Sequence, residues 1–186
     1  MRILMIAHGF PPTFGGVESH LWDISTRIAG HGHTVCCLVG GEQCSREILG
    51  NISVIRQPNL TVRSLLASRL GLAPSTISGD LLNDLARTVS DTVEEFAPTC
   101  IHIHNSHHFA PELALALFTQ VRGIPLINGV HDRVGEYLFE EVIRYSWDHV
   151  LYASNYLSKS IPTHCPSSVL WLGIDLAQFS PQGRAR

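Results

Sequence analysis

The stretch Phe10-Pro11-Pro12-Thr13-Phe14-Gly15-Gly16-Val17-Glu18 sets two glycines between an apolar run and an amphipathic one. Glycines at such a first turn let a ligand approach the backbone closely, and the unpaired N–H groups and positive dipole end of a following helix favour an anion. The chemistry this supports is phosphate binding. A dinucleotide fingerprint would need G-x-G-x-x-G, and that spacing does not occur, so the loop points to a phosphate without naming a nucleotide. Read blandly, Gly15-Gly16 is a turn that feeds a helix.

A second segment, His102-Ile103-His104-Asn105-Ser106-His107-His108, offers H-x-H-x-x-H, a spacing with which neutral imidazoles can hold zinc. It resembles the H-x-H-x-D-H signature of metallo-β-lactamase-like hydrolases, with Ser106 where that signature has its aspartate. The strand–loop–helix context belongs to a parallel α/β sheet and not to a β-sandwich, so a His-ligated zinc hydrolase is the weaker alternative and no metal is expected. Otherwise, His102 and His104 share one face of a strand end, with His104 and His107 lining a cleft or solvated.

These segments need a scaffold, and the apolar pattern supplies one. Residues 2–7 (RILMIA) read as a buried parallel strand, and the prolines after them forbid a tight hairpin return. Val17, Leu21, Ile24 and Ile28 fall at helical spacing, with Gly30 and Gly32 as stop signals. Further strands are expected at 34–39, 52–55, 100–104, 125–130, 149–153 and 169–172. Leu81, Leu82, Leu85, Val89, Val93 and Phe96 trace a helical stripe ending at Pro98, and shorter helices are expected near 65–70, from Pro111 to Val121 and over 136–145. Such alternation predicts one α/β, Rossmann-like domain: a mostly parallel sheet with helices on both faces. In such a sheet the ligand lies beyond the carboxyl ends of the strands. The loops gathered there are 8–18, 40–43, 104–108, 131–136 and 154–156, rich in histidine and glycine.

A chain of 186 residues buries one good core, not two ordinary α/β domains. It is 45% hydrophobic and 16% charged with a net charge of −3, which favours neither nucleic acid nor a strongly acidic partner. Five cysteines (Cys36, Cys37, Cys44, Cys100, Cys165) without a C-x-x-C pair argue against a disulfide framework or a thiolate zinc knuckle and for a reducing, cytoplasmic setting. No run of about 18 uncharged apolar residues and no signal-peptide pattern occurs. The chain is expected to be neither exported nor membrane-spanning, with peripheral membrane contact left open.

The order of motifs is similar to one family. P-P-x-x-G-G-V-E at 11–18, H-x-H at a strand end, a strand ending in His131-Asp132, Trp147-Asp148-His149-Val150 entering Ala153-Ser154, and Leu172-Gly173-Ile174-Asp175 followed by Phe179 and Pro181 together resemble the N-terminal half of retaining GT-B glycosyltransferases. The group is the glycogen-synthase-like one (glycosyltransferase family 4-like).

The resemblance implies a Rossmann-like N-terminal domain over 1–170 and an interdomain linker or tail over 171–186. A second, donor-binding C-terminal domain carrying an E-x7-E motif is missing from this chain. It implies a nucleotide-sugar co-substrate with no other cofactor, and a sugar-containing or small-molecule acceptor. Gly15 and Gly16 match the loop that reaches the donor diphosphate; His131, with Asp132 beside it, matches the histidine next to the donor sugar and takes the catalytic role. Glu18, His104, Asn105, His107 and Arg133 are the acceptor-side candidates. Retaining transfer in this family is pictured as same-face attack through a short-lived oxocarbenium-like ion pair, so the protein positions groups and stabilises charge without a dedicated nucleophile.

With half the cleft missing, the chain alone is expected to be inactive. The competing reading is a non-catalytic subunit or binding module of a split glycosyltransferase. Phe10, Phe14 and Tyr137 could stack on a sugar, although aromatics in a proline-rich loop more often pack it down. An uncovered interdomain face would favour self-association, or a tail folded back so that Phe179 is buried.

Overall fold

The computed structural model describes residues 1–13, 15–60, 79–109, 117–118, 121, 123–132 and 143–173. Eight strands form one sheet: β1 (Arg2–Ala7), β2 (Thr34–Gly40), β3 (Ser45–Leu49), β4 (Ile52–Gln57), β5 (Cys100–His104), β6 (Leu126–Val130), β7 (His149–Tyr152) and β8 (Ser167–Val169). Their order is β3-β4-β2-β1-β5-β6-β7-β8, and every pairing except β3·β4 is parallel. Among the described residues three complete α-helices accompany them, α1 (Gly16–Gly30), α2 (Gly79–Phe96) and α3 (Asn155–Ser160). The expected α/β Rossmann-like sheet is what forms.

The central strands are apolar on both faces because each face is covered, as parallel strands require. Leu4 and Ile6 of β1 join Ile101 and Ile103 of β5 in a core closed by Leu85 and Val89 of α2. Met5 and Ala7 point the other way, with Val35, Cys37 and Val39, into a core closed by Leu21 of α1. Arg2 fixes the return from α2: its guanidinium donates to the Phe96 carbonyl at 2.6 and 2.9 Å and lies 4.6 Å from the Phe96 ring. A cation there also opposes the negative end of the helix dipole.

Three local differences from expectation have physical causes. β3 escapes the apolar pattern because it is a polar edge strand, SREIL, joined to β4 through Gly50 at φ +60; only Leu49 packs toward the core, while Arg46 meets Glu95 and Glu47 meets Arg56. The last strand lies at Ser167–Val169, two residues before the apolar run that suggested it, and Leu170, Trp171 and Leu172 are exposed. α3 was also unforeseen; Ser154 caps it by accepting the Leu157 N–H at 3.2 Å. Of the helix expected from Pro111 to Val121, 117–118 are helical and most of the rest lies outside the described residues. The helices expected at 65–70 and, apart from 143–145, at 136–145 also lie outside them. Residues 143–145 are not part of an α-helix. No described helix is long and apolar enough to cross a membrane.

At the site end of the sheet, β2 closes against the exit of β1 with no room to spare. A Cβ on Gly40 would run into the His8 carbonyl oxygen and sit 2.7 Å from that of Leu60, both backbone atoms that cannot swing away. Gly40→Ala should therefore cost roughly 1–3 kcal/mol of stability through overpacking, read from urea denaturation. Gly16→Ala serves as the control, because nothing lies within 4 Å of a Cβ there.

Candidate active site at the carboxyl ends of β1, β5 and β6

From β1 the sheet grows one way through β2 and the other way through β5. Connections leaving neighbouring strands on opposite sides open a crevice at their carboxyl ends. Among the described residues it is lined by the exit of β1 leading to α1, the exit of β5 and the exit of β6, with 170–173 beside α1.

The first segment is built around a buried carboxylate. Gly15 is the N-cap of α1 with extended backbone (φ −172, ψ 174) and no side-chain cap, and the first helical bond runs from the Ser19 N–H to the Gly15 carbonyl at 3.1 Å. Glu18 turns back from the first turn and is 7% exposed, with its Oε1 3.2 Å from His8 Nε2. A Cβ on Gly9 would come within 2.6 Å of that carboxylate, and one on Gly15 would overlap it. Gly15 is thus a glycine because Glu18 fills its side-chain space. Gly16 is exposed and open, so its backbone is the approachable part of the loop. Phe10 is fully buried and packs edge-on against Trp22 at 5.8 Å, so it anchors the loop and cannot stack on a ligand.

The second and third segments meet over Gly129, which pairs with His104 in the β5·β6 register. A Cβ on Gly129 would lie 2.9 Å from His102 Nε2 and 3.1 Å from His131 Nε2, so its absence makes room for a group of imidazoles. His104 Nδ1 is 2.9 Å from His131 Nε2, the two rings are stacked at 5.1 Å, and His102 lies 4.1 Å from His104 on the other side. His20, from the second turn of α1, completes the group at 4.9 Å from the His131 ring. Outside the stack, His107 Nε2 is 3.3 Å from Asp132 Oδ1.

Burial sets the charge state of these rings. His104 is fully buried and its pKa is held well below the ordinary 6.5, first by desolvation and then by the neighbouring histidines. His102 is pushed down to about 3 for the same reasons. Desolvation also lowers His20, partly offset by Asp23. Uncharged imidazoles are metal-competent, and nitrogens of His20, His104 and His131 all lie within 4.8 Å of one another. That trio is not the H-x-H-x-x-H set, whose His107 faces Asp132 instead. The 2.9 Å approach of His104 to His131 is hydrogen-bond length; two ligands on a tetrahedral zinc stand about 3.3 Å apart.

The structure gathers His104, Asn105, His107, His131 and Asp132 at the β5 and β6 exits, and Gly15, Gly16 and Glu18 at the start of α1. Arg133, Phe14, Tyr137 and Phe179 lie outside the described residues. His20 was missed by reasoning from the sequence, yet its signal was present: it stands four residues after Gly16, on the same helix face. Gly16 and His20 line one cavity of about 460 Å³ together with Ser19, Asp23 and Trp171. The anion-ready turn and the imidazole group are therefore linked by one turn of helix, a rise of roughly 6 Å.

Residues 14–178 match the family model described as Glycosyltransferase Family 4. No curated protein matches the chain. Among solved structures, a glycosyltransferase from Rickettsia africae ESF-5 is similar at 14% identity and a TM-score of 0.59, with 99% of this chain and 46% of that one covered. The E. coli trehalose-6-phosphate protein bound with UDP-2-fluoro glucose is similar at 13% identity and a TM-score of 0.54, covering 100% and 52%. An α,α-trehalose-phosphate synthase (UDP-forming) from Burkholderia xenovorans, in complex with glucose-6-phosphate, is similar at 12% identity and a TM-score of 0.54, covering 99% and 54%. The chain thus spans about half the length of these solved structures, and the likeness establishes the shared GT-B-type half fold.

The neutral rings predict a stability that depends on pH. His102 and His104 stay uncharged in the fold, whereas in the unfolded chain they titrate near 6.5. Below that pH the unfolded state takes up protons that the folded state refuses, so the contribution is complete above about 6.5 and lost as pH falls, by roughly 1 kcal/mol per pH unit for each ring. Urea midpoints measured from pH 7.5 to 5 should fall accordingly, and His102→Asn should flatten the slope by about one proton. A wild-type slope unchanged by that substitution would mean that His102 titrates normally in the fold.

Proposed function

The chain belongs to Glycosyltransferase Family 4, and from that premise we propose that it forms the acceptor-side half of a retaining glycosyltransferase, moving a sugar from a nucleotide-sugar donor to an acceptor. One observation carries this reading: an open, anion-favouring helix turn at Gly16 stands one turn from His20, whose ring packs on His131 at 4.9 Å. The turn would receive the donor diphosphate through backbone N–H groups and the helix dipole, leaving the transferred sugar beside His131. Gly15 and Glu18 hold the turn in shape; the Glu18 charge, set against His8, is kept inside the loop and away from the open side.

In this reading His131 and Asp132 border the reacting sugar and Arg133 is an acceptor contact, while the buried Glu18, His104, Asn105 and His107 shape the acceptor side from behind without touching the substrate. Chemistry by same-face displacement asks the protein to orient the leaving diphosphate and stabilise an oxocarbenium-like ion pair, which positioned dipoles and imidazoles can do without a covalent nucleophile or a metal. A second Rossmann-like domain, reached through 171–186, would hold most of the nucleotide. The solved relative bound with UDP-2-fluoro glucose lends support to a nucleotide-sugar donor. A cytoplasmic setting goes with this co-substrate.

The test uses Gly16→Val, which the open space and the absence of a left-handed φ at this glycine allow to fold. Titrating the chain with UDP-glucose, GDP-mannose, UDP and GDP should reveal diphosphate binding that weakens tenfold or more in Gly16→Val while the melting temperature holds. Wild-type affinity in the folded variant would reduce the loop to a turn. The 186-residue chain incubated with those donors and candidate acceptors should give no glycosylated product by mass spectrometry; robust turnover would overturn the half-site reading.

A further inference from the structure

The exits of β5 and β6 are tied by two asparagines that reach across in opposite directions. Asn105 leaves β5 in the left-handed conformation (φ 53, ψ 57) and donates its N–H to the Gly129 carbonyl at 2.6 Å, while its Oδ1 accepts the His131 N–H at 2.7 Å. Asn128 on β6 answers with its own Oδ1, which accepts the Ser106 N–H at 3.4 Å. Both asparagines are fully buried. Asparagine is suited to this position twice over: it tolerates a positive φ better than other residues with a Cβ, and its short amide reaches nearby backbone donors.

We propose that Asn105 is a positioning residue for His131. Its Oδ1 fixes the backbone at His131 just where the chain leaves β6, and His104 Nδ1, one residue before Asn105 in the chain, meets the same residue's ring at 2.9 Å. Backbone and ring of His131 are thus held from two consecutive residues of one strand end, which sets the direction in which the imidazole projects. Asn128 does the reciprocal work for the turn bearing His107, so the His107–Asp132 contact joins two loops that are each already anchored. A buried Asn105 with its oxygen engaged this way acts on a substrate through His131 and not by touching it. The catalytic consequence rests on the transferase reading; the positioning itself does not.

Three variants separate the possibilities. Asn105→Gly keeps the left-handed backbone but removes the amide, Asn105→Ala removes it and strains the backbone, and Asn105→Asp keeps an acceptor oxygen. In the full chain, NMR should show the His131 amide exchanging at least tenfold faster in Asn105→Gly and Asn105→Ala, with displaced His131 ring signals. Amides of β1 and β2 should keep their protection, and Asn105→Asp should restore both signals. With the donor-binding half present, Asn105→Gly should lower kcat about 100-fold, the scale of an ångström-sized misplacement, leave the acceptor KM within twofold, and recover in Asn105→Asp.

Unchanged His131 exchange and ring signals in Asn105→Gly would overturn the proposal. So would an equal loss of protection across the whole sheet in all three variants, which marks a purely structural residue. If wild-type protein transfers no sugar even with the donor-binding half present, the transferase reading fails while the NMR result still decides what Asn105 does.

Discussion

Four imidazole rings share the space above the ends of β5 and β6, and they fit because Gly129 has no side chain. The strand register sets His104 opposite Gly129, and parity puts His102 on the same face. Any Cβ at 129 would press on His102 and His131 at once. One missing methyl group thus determines where the rings of two strand exits can lie. Since His20 packs against the same rings from α1, it bears on the seating of that helix as well.

Filling that space with imidazole instead of leucine has a cost and a use. Buried uncharged rings lose hydration, and they hold the site neutral around pH 7 by refusing protons. A neutral interior beside an anion-favouring helix end keeps the positive potential at the backbone N–H groups of α1, where a diphosphate would sit, and out of the region beneath. The carboxylate of Glu18 would oppose that potential if it were loose. Its burial against His8 and the two glycines confines it to the inside of the turn. Low dielectric strengthens each of these interactions, so small errors in placement matter more here than they would on the surface.

Most of the scaffold was legible because strands covered on both faces write themselves as apolar runs, as in residues 2–7 and 34–39, and because α2 carries a strong one-sided stripe. What escaped lacked those signals. β3 is an edge strand defined by its pairing with β4, which is not visible in SREIL taken alone. The run at 169–172 is apolar, but only its first residue pairs in the sheet; hydrophobicity marks what could be buried, not what is. At the site, motif order located His131, the H-x-H pair and the glycine loop. For His20 the spacing of four from Gly16 places it on the face of the glycine turn, but its meeting with the imidazoles depends on a strand more than eighty residues away. The H-x-H-x-x-H spacing does not say which imidazoles meet, for a similar reason: the turn after Asn105 carries His107 toward Asp132, and the fold brings His20 beside His104 and His131 instead.

The division of the site between a helix and two strand ends carries a mechanical consequence. β5 and β6 are central strands whose exits are locked by backbone and asparagine hydrogen bonds, so His104 and His131 move with the sheet. Gly16 and His20 move with α1, which is held by side-chain contacts, Leu21 and Trp22 in the core, Ser25 with Cys37 and Glu18 with His8, and not by a strand ladder. Packed surfaces slide more readily than ladders break, so any adjustment between the two sides of the site would fall to α1. The contact of His20 with His131 is where such a shift would be felt, because it is the place where the helix touches the anchored rings directly. Asp23, one turn further along that helix face, and the exposed Trp171 line the remaining open side of the same cavity. If a diphosphate binds at the start of α1 as proposed, the same helix carries His20 against His131 one turn later, so a shift of α1 would press on that imidazole.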